Sequence, residues 1–109
     1  MNKGKYVVFC TVPKGDTGEK IAKSLVEKRL AACVNIIDKI RSIYLWQGKI
    51  EDDTESLLII KTDSKKFEEL KKAIKEIHPY TVPEIIALPI VEGIDLYLNW
   101  IDEVLFEKK

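Results

Sequence analysis

The spacing of apolar residues changes period repeatedly along this chain, and each change marks an element. Tyr6-Val7-Val8-Phe9-Cys10-Thr11-Val12 is a β-branched and aromatic run broken by Pro13-Lys14-Gly15, which predicts a strand and then a turn. Asp16 predicts a helix start, with Glu19 three residues on completing a capping-box pair. Ile21, Ala22, Leu25, Val26 and Leu30 follow helical spacing and give that helix one core-facing stripe.

From Ala32 the period becomes two. Val34 and Ile36 alternate, the phase slips at Ile37, and alternation resumes through Ile43 and Leu45. A one-residue slip turns the buried side of a strand over, so a bulge or sharp bend is expected near Asp38-Lys39. Gln47-Gly48 reads as a two-residue hairpin turn. The return strand runs from about Lys49 to Lys61, polar at first and then apolar at Leu57-Leu58-Ile59-Ile60. Strands this long exceed the usual length of about 5–6 residues. Their distal halves are expected to project beyond the domain, where an unpaired ribbon invites another chain to cover it. The pattern therefore favours an oligomer.

Asp63 or Ser64 is expected to cap a second helix with the stripe Phe67, Leu70, Ile74 and Ile77. His78-Pro79 ends it, because a residue before proline is pushed out of the α region. Ile85 to Val91 reads as a strand, and its Pro89 suits an edge or a bulge. After Gly93, residues Leu96 to Leu105 carry a last amphipathic helix that includes Tyr97, Trp100 and Ile101. The order β-α-β-β-α-β-α describes one α/β domain over residues 1–109, an α+β sandwich. The elements before the last helix make the ferredoxin-like split βαβ arrangement.

Composition narrows the partners. The 18 basic residues balance 18 acidic ones, which leaves no electrostatic footprint for nucleic acid or an anionic membrane. No apolar run approaches the roughly 18 residues that span a bilayer. Met1 to Lys5 shows no signal-peptide core, so a cytoplasmic location is expected. Cys10 and Cys33 are the only cysteines and His78 is the only histidine. Two free thiols are expected, and any metal site must be sparse or assembled from several chains. With no glycine-rich phosphate loop and no nucleophile–base pair, no catalytic activity is expected. Gln47 is the sole glutamine while Lys and Glu crowd the polar positions, a bias of thermostable surfaces.

The chain resembles the CutA family of divalent-cation-tolerance proteins at Cys10-Thr11-Val12-Pro13, Leu30-Ala31-Ala32-Cys33-Val34-Asn35-Ile36 and Ser42-Ile43-Tyr44-Leu45-Trp46-Gln47-Gly48-Lys49-Ile50. The match continues through Glu55, Lys61-Thr62, His78-Pro79-Tyr80 and Pro83-Glu84-Ile85-Ile86 to Tyr97-Leu98-Asn99-Trp100. The resemblance implies a cytoplasmic homotrimer of ferredoxin-like subunits whose long strands pair between neighbours, in the manner of PII-like trimers. It also implies tolerance of copper or other divalent cations, with copper bound at positions that correspond to Cys10 and His78. A second histidine found in some members is Ile77 here.

Thiolate and imidazole together would suit copper or zinc, yet two ligands from one chain cannot close a tetrahedral site. Cys10 also suits a small buried hydrophobe, and His78 also suits a helix end. A second constellation is Tyr44, Trp46, Glu55, Lys61, Tyr80 and Glu84, which would line an intersubunit cleft for a small ligand. The alternative for these residues is interface packing, with Glu55 and Lys61 as a cross-strand ion pair. Glu51-Asp52-Asp53 lacks the pattern of a calcium loop and reads as a solvated strand edge. The chain is thus expected to be a metal-responsive trimer or, alternatively, a PII-like sensor of a small ligand.

Overall fold

The computed structural model describes residues 4–107, so Met1 to Lys3 and the last two lysines lie outside it. Its elements are β1 (Lys5–Pro13), α1 (Thr17–Glu27), β2 (Cys33–Trp46), β3 (Lys49–Asp63), α2 (Phe67–Ile77), β4 (Ile86–Ile90) and α3 (Asp95–Phe106). One antiparallel sheet has the strand order β2-β3-β1-β4. β4, with its Pro89, lies at the edge, where a missing N–H costs no ladder bond.

α1 and α2 cover one face of this sheet. Val8, Cys10 and Val12 of β1 and Leu58 and Ile60 of β3 point into them, against Ile21, Leu25, Leu70 and Ile74. Gly18 lets α1 come close, since a Cβ there would stand 3.2 Å from both Leu58 and Val12 side chains. α3 makes a smaller cluster in which Ile101 and Leu105 pack on Ala32. Lys5 holds that helix to the sheet, with its ammonium 3.0 Å from Asp63 and 2.8 Å from Asp102. Arg29 takes a left-handed backbone conformation after α1, and its guanidinium donates to the Val104 carbonyl at 2.6 Å.

The β2–β3 hairpin carries the register slip where the apolar phase placed it. Ile37 pairs with Leu57 and Ile40 with Glu55, so two residues of β2 oppose one of β3. The Ser56 hydroxyl donates to the Asp38 carbonyl at 3.0 Å and ties the bulge down. Gln47 and Gly48, both with positive φ, close the far end in the manner of a type I′ turn. Beyond Thr54 no third strand among the described residues lies beside the ribbon. The molecule is accordingly elongated, 46 Å by 26 Å by 22 Å.

Three local expectations are corrected. Asp16 makes no cap bond, because its backbone is not in the extended conformation a capping residue needs. The two acids pair forward along the helix instead, Asp16 with Lys20 and Glu19 with Lys23. Asp63 does cap, but the structure it caps is a single 3₁₀ turn over Ser64–Lys66, by accepting from the Lys65 N–H at 2.8 Å. In α2 it is Ala73, with Leu70 and Ile74, that faces the core, while Ile77 runs out to an exposed final turn.

Candidate functional site

The bulge decides which side chains share a face. From Ile40 to Trp46, the even-numbered residues Ser42, Tyr44 and Trp46 lie on the side of Glu55 and Thr11, away from α1 and α2. The segment after α2 folds over this side. Together they wall a cleft of about 680 Å³, in which Thr11, Ser42, Tyr44, Trp46 and Glu55 face Pro79, Tyr80, Thr81, Val82 and Glu84.

Glu55 is the buried member, with 5% of its surface exposed. The Tyr80 hydroxyl donates to it at 2.6 Å. Burial, with this hydrogen bond and the Glu55 charge, holds the Tyr80 phenol above its ordinary range. The Tyr44 hydroxyl donates to Asp53 at 2.5 Å, and that bond pushes its phenol up to about 12. Glu84 is exposed and makes no hydrogen bond or ion pair with a described residue.

Five of the six residues expected in the cleft are there, and Lys61 is not. Its ammonium is hydrogen-bonded to Asn35 Oδ1, and its Cα partners are Cys33 and Val7. Six residues along a strand separate it from Glu55 by about 20 Å, so the two form no ion pair. Thr11, Ser42, Thr81 and Val82 are lining residues that were not singled out from sequence. The period-two pattern after the bulge is the signal that puts Ser42 beside Tyr44 and Trp46. The acidic run is largely paired: Arg41 donates to both oxygens of Asp52, at 2.9 and 2.6 Å, while Asp53 receives Tyr44.

Cys10 and His78 converge on one carbonyl. His78 Nε2 lies 2.8 Å from the Thr11 oxygen, and the Cys10 thiol lies 3.8 Å from the same atom. A carbonyl only accepts, so Nε2 carries a proton; Nδ1 accepts the Tyr80 N–H at 3.2 Å. Both ring nitrogens are therefore engaged. Cys10 is fully buried, and burial, with the Glu84 and Glu55 charges adding to it, pushes its thiol up to about 12. A copper ligand must offer a thiolate and an imidazole lone pair. The pair as folded offers neither, and does not fit a bound copper ion. Among the described residues no group of three or more His, Cys, Asp or Glu side chains is arranged for a metal. Cys33 is half-buried, with its thiol 3.8 Å from Asn35 Oδ1.

The comparisons with known proteins agree on one family. The family model described as CutA1 divalent ion tolerance protein matches residues 6–104. The divalent-cation tolerance protein CutA of Thermus thermophilus is 55% identical over 97 residues, covering 89% of this chain and 94% of that protein. The chloroplastic CutA of Arabidopsis thaliana is 50% identical over 95 residues, which cover 87% of this chain and only 52% of the plant protein. Among solved structures, CutA1 from Oryza sativa superposes with a TM-score of 0.92 at 44% identity, covering 96% of each chain. The structure of the periplasmic divalent cation tolerance protein CutA from Archaeoglobus fulgidus gives 0.91 at 46% identity, over 94% of this chain and 99% of that one. No helix among the described residues is long and apolar enough to cross a membrane. On sequence and on fold alike, the chain belongs to the CutA1 family of divalent-ion tolerance proteins.

Proposed function

We propose that this chain forms a non-catalytic, cytoplasmic homotrimer that serves the response to divalent cations by binding, and that its binding place is the cleft walled by Tyr44, Trp46, Glu55, Tyr80 and Glu84. The observation that carries this reading is the cleft itself. It has the size of a small-molecule site, apolar and aromatic walls, and a few convergent polar groups. The effector held there plays the part that small ligands play in PII-like signalling trimers. Catalysis is disfavoured because the single histidine spends both nitrogens on structure.

The trimer is supported by the far half of the ribbon. Ile43, Leu45 and Ile50 are 62%, 70% and 77% exposed, an apolar surface that suits burial against further copies of the chain. The cytoplasm suits two unpaired thiols. The Archaeoglobus relative is described as periplasmic, so cell fractionation is the direct check on the compartment.

Copper held at Cys10 and His78 is the second reading, favoured by their convergence on the Thr11 carbonyl. It requires His78 to give up a hydrogen bond and a buried thiol to lose its proton. Titration with Cu(II) and Zn(II), together with mass in solution, separates the two. A trimer whose titration with either metal is the same in the native protein, in Cys10→Ala and in His78→Ala is expected. Saturable Cu(II) binding lost in both variants would move the site from the cleft to that pair, and a single-chain mass would remove the trimer.

A further inference from the structure

The charges around the cleft are one-sided. Glu55 and Glu84 line it, and no lysine or arginine among the described residues does. Lys61, a cation on the same strand as Glu55, is turned to Asn35. Glu84 has no hydrogen bond or ion pair to a described residue, so its charge faces the opening. Glu55 is almost wholly buried, and its partner is the neutral Tyr80 phenol. A buried carboxyl group whose one partner among the described residues is a neutral donor leaves the place of a cationic partner open. Three aromatic side chains, Tyr44, Trp46 and Tyr80, share the cavity with these acids. Their faces attract cations, most strongly where water is excluded.

An anion would meet two uncancelled carboxylates. A bare metal ion would find no cluster of three ligands among the described residues to enclose it, and the cavity is far larger than an ion needs. We propose that the cleft takes a small organic cation, an alkylammonium or quaternary ammonium compound, with Glu55 and Glu84 as its counter-charges and Tyr44, Trp46 and Tyr80 as its aromatic walls. The proposal rests on the cleft's being the binding place and adds the chemistry of the occupant.

The test is calorimetry on the assembled protein with 1,4-diaminobutane and tetramethylammonium as cationic probes, and with citrate and ATP as anionic ones. Saturable binding of a cationic probe is expected. It should weaken at least about tenfold in Glu84→Gln and in Trp46→Ala, two exposed positions, with circular dichroism and mass in solution used to check that each variant folds and assembles as the native protein does. Binding of an anion instead, weakened by Trp46→Ala, would overturn the cationic occupant and leave the cleft as the binding place. Binding of no probe, or binding indifferent to both substitutions, would overturn the two readings together.

Discussion

The β2–β3 ribbon is one hydrogen-bonded structure with two different environments. Near the bulge, Leu58 and Ile60 are fully buried beneath α1 and α2. Past the bulge, Ile43, Leu45 and Ile50 occupy the corresponding face of the same strands and stand largely in water. The ladder is continuous through both halves, so backbone pairing does not distinguish them. What differs is the reward for apolar side chains: roughly 1.5–3 kcal/mol for each one fully buried, and nearly nothing while it stays in water. The near half thus stabilises the subunit, and the far half carries apolar residues whose use lies outside it.

Substitutions can break this contrast, and the largest effect belongs to the near half. Leu58→Ala should cost about 2–5 kcal/mol in denaturant unfolding, as a cavity opens under both helices. A loss below about 1 kcal/mol would mean the near half is not the anchor it looks to be. Alkali should act next. Cys10 is raised from 9.0 to about 12 by burial, so its neutral form is the one the fold prefers. Its contribution is complete below pH 9, where folded and unfolded chains both keep the proton, and is lost as pH rises through 9 toward 12. Stability measured across that window should fall in the native protein and fall less in Cys10→Ala.

Leu45→Asp tests the far half. It should lower the mass of the assembly at micromolar concentration while the far-ultraviolet dichroism of each subunit persists; an unchanged mass would end the contrast. The smallest effect is expected at Arg41. Its bidentate pair with Asp52 is solvent-exposed and screened, so Arg41→Ala should leave the denaturant midpoint almost where it is, with any small loss shrinking further in high salt.

What could be read from the sequence was what local pattern controls. The slip at Ile37, the Gln47-Gly48 turn and the edge position of the proline strand all follow from period, turn chemistry or a missing N–H. The helix cap at Asp16 failed because its backbone is not extended there, a conformation that residue spacing alone does not reveal. Most of the cleft was legible as a residue set but not as a shape. Lys61 was expected there as the one cation of the set, although strand geometry carries it far from Glu55. The engagement of His78 was hidden for another reason. Its partner Thr11 lies 67 residues away in the chain, and no periodicity joins them.

The bulge also gives β2 a reserve of length. Two residues occupy the place of one opposite Ser56, so the strand holds one residue more than its ladder uses. Loss of Asp38 or Lys39 would straighten the strand yet leave Ser42, Tyr44 and Trp46 opposite Asp53, Glu51 and Lys49. β3 has no such slack, and a deletion between Glu51 and Thr54 would turn part of one cleft wall to the other side of the sheet. Gains and losses of a residue should therefore be tolerated on one strand of this hairpin and excluded from its partner.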